Sequence, residues 1–247
     1  MIIKKGNKLL IVGASGDLGY CLLKMLSKFD VIIGAHYNHR KERLDNFLKS
    51  DYFAKVKLFG GDASRQEKSV ALIRSFVKWA GGIDGLIQLS GCITKPMHWQ
   101  QLTQKIWDAD IAVNLTGPFF LAQEAVKHMR KKGGKIIFAS TASAGHGGGA
   151  DSLAYGVAKA GIECLTKALA RHGASDNILV NSVAPGFIMT DKRRKKPQKE
   201  LKKRAELVLL RKAGNPEDIA AMIIHLLSSY GNFITGETIP ISGGDWL

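Results

Sequence analysis

The chain has no apolar run approaching the roughly 20 residues that a membrane helix needs, so no span is expected. Cysteine is sparse: Cys21, Cys92 and Cys164 are far apart, odd in number and without metal-ligand spacing. That excludes a disulfide framework and a cysteine metal site, and leaves reduced packing residues as the expectation. No linker, low-complexity tract or internal repeat divides the chain. Met1 to Lys8 runs straight into an apolar strand without a signal-peptide pattern, which points to a cytoplasmic location. Acids are also scarce, 21 Asp and Glu against 36 Lys and Arg, for a formal charge of +15.

At 247 residues with 45% apolar content, the chain can bury a full core as one domain over 1–247. Short apolar runs alternate with segments of helical period. Leu9-Leu10-Ile11-Val12 is a buried-strand run, and from Asp17 the residues Leu18, Cys21, Leu22, Met25, Leu26 and Phe29 repeat at helical spacing. Val31-Ile32-Ile33, Gly85 to Leu89, Lys135 to Ala139, Ile178 to Val183 and Glu237 to Ser242 read as further strands. One long helix is expected around Asp108 to Met129, another through Tyr155 and Lys159, and a last one from Pro216 to about Ser228. Such alternation with continuously apolar strands predicts a doubly wound α/β fold, a parallel sheet with helices on both faces.

Gly13-Ala14-Ser15-Gly16-Asp17-Leu18-Gly19 falls between the first strand and the first helix. Glycines there let the backbone approach a phosphate, and the helix N-terminus favours an anion, so the turn reads as a nucleotide site. An acid at the end of the second strand would hold the adenosine ribose of NAD. Ala35-His36-Tyr37-Asn38-His39-Arg40-Lys41 has none, and His39, Arg40 and Lys41 suit a 2′-phosphate, which favours NADP(H) over NAD(H). Asp62 in Gly61-Asp62-Ala63 could accept from the adenine amine or cap the next helix.

Tyr155 and Lys159 lie one helical turn apart, placing a phenol and an ammonium on one face. Such a pair is ordinarily a surface neighbour contact, and its position in the chain has to decide otherwise. A phenol of pKa about 10 is a poor acid or base at neutral pH, and a fixed positive charge favours its phenolate. Lowering it to about 7 takes roughly 4 kcal/mol of differential stabilisation.

The glycine turn, Asn114 in Asn114-Leu115-Thr116-Gly117, and Tyr155 with Lys159 together resemble the short-chain dehydrogenase/reductase family. Ser182 to Thr190, Asn215 to Ala220, Ile234 to Glu237 and Ser242-Gly243-Gly244 are similar to its later motifs, so the resemblance spans the chain. It implies a Rossmann-type fold, hydride transfer between nicotinamide and a carbonyl or alcohol, and a homotetramer. It implies Tyr155 as proton donor or base, and Lys159 as the residue that holds the ribose and lowers the Tyr155 pKa. Asn114 would hold a relay water, or pin helix to strand. Thr141 would orient the substrate carbonyl, with Ser140 and Ser143 as alternatives. The cofactor would meet Gly13, Ser15, Gly16, Asp17, Leu18 and Gly19, then Asn38, Arg40, Asp62 and Ala63. Ser90, Gly91, Tyr155 and Lys159 would also meet it, and Pro185, Gly186, Ile188 and Thr190 belong to the segment that would hold its nicotinamide end. Two departures stand out. Asp17 replaces a glycine beside the diphosphate, which is electrostatically awkward unless its side chain turns away or caps the helix. Gln88-Leu89-Ser90-Gly91 replaces a motif with two asparagines, and their loss is expected to loosen the fourth strand.

The region at about 190–212 is the family's substrate lid, and here it is strongly basic. Lys192 to Arg204 holds nine Lys or Arg against the single acid Glu200. Lys196-Pro197 can begin a helix with Leu201, Ala205 and Val208 or Leu209 on its apolar face. The charge is either a solvated face or a docking surface for an acidic partner or polyanionic substrate. The chain is most similar to 3-oxoacyl-[acyl carrier protein] reductases, whose carrier is acidic. Nucleic acid is disfavoured, because the segment has no interleaved aromatics for stacking.

Overall fold

Seven strands pair side by side, the central ones apolar and buried on both faces and the edge strands partly exposed. The computed structural model describes residues 3–50 and 52–245, so Met1 and Ile2 of the segment read as leading into the first strand lie outside it, as do Asp51, Trp246 and Leu247. The strands are β1 (Lys8–Val12), β2 (Ile32–Tyr37), β3 (Lys55–Gly60), β4 (Gly85–Gln88), β5 (Gly134–Ala139), β6 (Ile178–Pro185) and β7 (Thr238–Ile241). They form one sheet in the order β3-β2-β1-β4-β5-β6-β7 with every pairing parallel. The chain winds outward from β1 through β3, then crosses back to β4 on the other side of β1. That reversal opens a crevice at the carboxyl ends of β1 and β4, where such sheets bind ligands.

The helices are α1 (Asp17–Leu26), α2 (Lys41–Phe47), α3 (Gln66–Ala80), α4 (Gln104–Ile111), α5 (Gly117–Met129), α6 (Leu153–Gly173), α7 (Asp191–Arg194), α8 (Gln198–Glu206) and α9 (Pro216–Leu227). Alternation along β1 assigns its residues to two cores. Leu9 and Ile11 pack with Leu22 and Leu26 of α1, Leu44 of α2 and Ile223 of α9. Leu10 and Val12 pack with Phe76 of α3, Leu121 of α5 and Ile162 of α6. Each such side chain contributes about 1.5–3 kcal/mol on burial. Among the described residues no helix is long and apolar enough to cross a membrane.

Two expectations need correction. The long helix around Asp108 to Met129 is instead α4 and α5 joined by a π-helical turn over Ala112–Thr116. Pro118 has no N–H to give the carbonyl of Asn114 four residues earlier, so the regular ladder breaks there. In the lid, Leu201 and Val208 form a small core with Phe187, whereas Leu209 is 64% exposed. Helix α8 ends at Glu206, so Val208 joins this core from beyond it rather than from its apolar face, and the short α7 before it was not anticipated.

Candidate active site

The turn after β1 is built by close backbone contacts. Gly13 has φ +86°, and a Cβ there would lie 2.6 Å from the Ser90 nitrogen at the end of β4. At Gly19 a Cβ would lie 2.3 Å from the Gly13 oxygen, so only glycine lets α1 start this near the strand. His36, buried at the end of β2, braces the turn: its Nε2 lies 2.8 Å from the Gly61 oxygen and its Nδ1 3.4 Å from the Gly13 nitrogen. These contacts fit one neutral tautomer, donating at Nε2, and burial lowers the imidazole's pKa.

A cleft of about 370 Å³ opens from this turn, lined by Gly13, Ser15, Gly16, Asn38, His39, Arg40, Asp62, Ala63, Ser90 and Gly91. Nine of the residues expected at a dinucleotide are thus brought to one concavity from four loops, with His39 beside them. Lys41 is not among them; it pairs with Asp45 at 3.4 Å on α2. Asp62 lines the cleft, but its carboxylate also closes a local turn, accepting from the Ser64 amide and hydroxyl at 2.9 Å each.

Asp17 neither faces this cleft nor caps α1. Its Oδ1 accepts from Arg43 at 2.6 Å, and its Oδ2 accepts from the Asp191 amide at 3.0 Å. Burial alone would raise its pKa, but Arg43 and the Asp191 amide outweigh that and hold it below the ordinary value. The side chain of Asp17 is thus paired and turned away from the cleft, one of the two arrangements expected to make an acid tolerable there. Arg43 also lies 4.3 Å over the Tyr20 ring. Nothing in the local sequence singled it out.

The fourth strand keeps its pairings with β1 and β5 over Gly85 to Gln88. Gln88 donates to the Ser90 carbonyl at 3.1 Å and to its hydroxyl at 2.7 Å, while its Oε1 is buried without a partner. Asn114 then pins the following residue: its Oδ1 accepts from the Cys92 amide at 3.1 Å, and its Nδ2 donates to the Cys92 carbonyl at 2.7 Å and the Asp110 carbonyl at 2.8 Å. Asp110, missed in the sequence, accepts from the Thr94 amide and hydroxyl at 2.8 and 2.6 Å. The side chain of Asn114 is therefore the helix-to-strand pin, while its carbonyl sits where Pro118 cannot supply the α-helical donor.

A second cavity of about 440 Å³ joins the turn to the catalytic candidates, being lined by Leu18, Gly91, Thr141, Tyr155, Lys159, Pro185, Gly186, Ile188 and Thr190 among others. Lys159 is 2% exposed, donates to the Ala139 carbonyl at 2.8 Å, and has its Nζ 5.6 Å from the Tyr155 ring centre. Burial pulls its ammonium down to about 8. Burial likewise pushes the Tyr155 phenol up to about 12, against the opposing charge of Arg193. The expected lowering of the phenol by Lys159 is corrected. Where the phenol ionises the buried amine is already neutral, so desolvation prevails.

Of the three hydroxyls after β5, Ser140 is committed to Glu163 at 2.7 Å. Thr141 and Ser143 lie 3.1 Å apart and both border a third cavity with Tyr155. Of these three hydroxyls, Thr141 alone reaches both cavities that Tyr155 lines. No group of three or more His, Cys, Asp or Glu among the described residues could hold a metal ion.

The glycine cradle, the helix N-terminus and the cleft fit a nicotinamide dinucleotide, and comparison with known proteins agrees with that geometry. A family model described as enoyl-(acyl carrier protein) reductase matches residues 18–245. Nodulation protein G of Rhizobium sp. (strain N33) is 35% identical over 243 residues, 97% of this chain and 96% of that protein. The 3-oxoacyl-[acyl-carrier-protein] reductase FabG of Thermotoga maritima is 31% identical over 243 residues, covering 97% and 98%. A dehydrogenase/reductase from Sinorhizobium meliloti 1021 has a crystal structure similar at TM-score 0.90 and 26% identity, covering 99% and 96%. The chain belongs to the short-chain dehydrogenase/reductase family and is an oxidoreductase of that type.

Proposed function

We propose that the protein reduces a carbonyl to an alcohol with NADPH, acting on a 3-oxoacyl thioester carried by an acidic acyl carrier protein. The observation that carries the reading is one cavity shared by Leu18 of the glycine turn and by Tyr155, Lys159 and Thr141. Asn38 and Arg40 border the cleft with no acid at the end of β2, which supports a 2′-phosphate and hence NADP(H). Asp62 and Ala63 take the adenine side; Ser90, Gly91, Pro185, Gly186, Ile188 and Thr190 take the nicotinamide side.

These residues would hold a reduced nicotinamide dinucleotide, which would supply the hydride for the carbonyl carbon. Tyr155 gives its phenolic proton to the carbonyl oxygen. Its raised pKa keeps that proton in place at neutral pH but makes the phenol a weaker donor, so the transfer depends on the charge beside it. At neutral pH Lys159 is charged, favours the phenolate as the proton leaves, and binds the ribose hydroxyls. Thr141 donates to the carbonyl oxygen and Asn114 holds the water that reprotonates the site. The family resemblance adds a homotetramer, which light scattering tests.

Lys195, Lys199 and Lys202 are exposed on the lid and would steer an acidic carrier to the mouth. A substrate panel with NADPH and NADH side by side tests the reading. Turnover of an acetoacetyl thioester with NADPH preferred is expected; none, with NADPH binding intact, sinks it. Replacing the three lysines by Glu should raise KM for a carrier-bound substrate at low salt, and an unchanged KM argues against docking.

A further inference from the structure

Beyond Tyr155 lies a chamber of about 400 Å³ bordered by Thr141, Ser143, His146, Ser152, Arg193 and the Arg204–Asp245 pair. Its lining is mostly polar, with Ile93 and Pro185 as the larger apolar contributors. The two arginines are not equivalent. Arg204 is neutralised by Asp245 through bonds of 2.8 and 2.6 Å. Arg193 donates one bond, from Nη1 to the Ile188 carbonyl at 2.8 Å, and lies 5.0 Å over the Phe187 ring. Among the described residues no carboxylate lies within ion-pairing distance of it. A guanidinium stays charged at any ordinary pH and has five N–H donors, so most of its donors remain for a ligand. Its place on the lid is set: Thr190 caps α7 by accepting from the Arg193 amide at 3.4 Å. A half-buried cation with no ion-pair partner of its own, in the same chamber as the proton donor, suits an anionic oxygen there; the Asp245 carboxylate in that chamber is held by Arg204 and acts on Arg193 only from a distance.

We propose that Arg193 is a substrate-recognition residue that binds a carboxylate on the carbonyl substrate, so that the enzyme reduces free 3-oxo acids as well as thioesters. The proposal rests on the reading of the site as a carbonyl reductase. Reduction consumes one carbonyl, one hydride and one proton, and the carboxylate passes through unchanged. The competing role for Arg193 is the cofactor diphosphate, because it also borders the cavity shared with Leu18 and Thr190.

The test uses the full-length protein saturated with NADP⁺ and titrated calorimetrically with acetoacetate, as wild type, Arg193→Gln and Arg193→Lys. Binding should weaken at least about tenfold in the Gln variant and recover in part with Lys. In steady state, kcat/KM for acetoacetate should fall about 10- to 100-fold in Arg193→Gln. For the neutral isostere acetoacetamide, and for KM of NADPH, the change should stay within about threefold. Equal losses on both ketones, a rise confined to the NADPH KM, or no acetoacetate binding by wild type overturns the proposal. Absence of turnover on every ketone strikes the carbonyl-reductase reading instead, while the binding titration still decides the role of Arg193.

Discussion

Arg43 and Asp17 meet at 2.6 Å, and through that pair the nucleotide turn is tied to the start of the lid. Asp17 also accepts from the Asp191 amide, and Arg43 lies 3.4 Å from the Asp191 carboxylate. Three loops far apart in sequence thus share one charge cluster: the β1–α1 turn, α2 and the first residue of α7. The cluster explains how an acid is tolerated at a phosphate-binding turn.

Arg43→Ala should weaken NADPH binding about tenfold, because it frees a carboxylate near the diphosphate and loosens the lid. Asp17→Asn in the same background should restore most of that loss. Fluorescence titration of the two single variants and the double variant checks it. Additive effects would show that the pair does not act as a unit.

Gly19→Ala should impair both folding and the nucleotide site, since the added Cβ lies 2.3 Å from the Gly13 oxygen and 2.8 Å from the Ala14 Cα. Overpacking of this kind costs about 1–3 kcal/mol. Urea unfolding and NADPH titration should both show the damage. Unchanged stability and affinity would mean that the turn is more open than this geometry.

Lys159 titrates near 8 because it is buried, and its charged form is the one present below that pH. In the reductive direction kcat/KM for NADPH should therefore fall as pH rises through about 8, with the slope of a single proton. Lys159→Arg should keep the charge and move that fall to higher pH. A flat profile from pH 7 to 10 in the wild type would rule out this ionisation as the controlling one.

Much of this was legible in the chain because it depends on local pattern. Leu9 to Val12, Lys135 to Ala139 and Ile178 to Val183 announce buried strands, and Gly13 to Gly19 announces a turn that side chains would obstruct. The helix read through Asp108 to Met129 was not legible in its true form, because apolar period does not register the N–H that Pro118 lacks. Contacts between distant segments were not legible. Arg43 reads as one more basic residue until α2 packs beside α1, and Arg193 is one of nine charges until Phe187 and the Ile188 carbonyl fix it against the chamber. The direction of the Tyr155 and Lys159 shifts also escaped, because spacing reveals a neighbour's charge but not how deeply both groups are buried.

The central claim is that Tyr155 supplies the proton when a 3-oxoacyl thioester is reduced, and one comparison tests it most directly. NADPH oxidation with an acetoacetyl thioester is measured for the wild type and for Tyr155→Phe, with NADPH affinity determined on the same preparations. The account predicts a loss of at least about 100-fold in kcat with NADPH affinity within about threefold. Turnover in the Phe variant within a few-fold of wild type would contradict it.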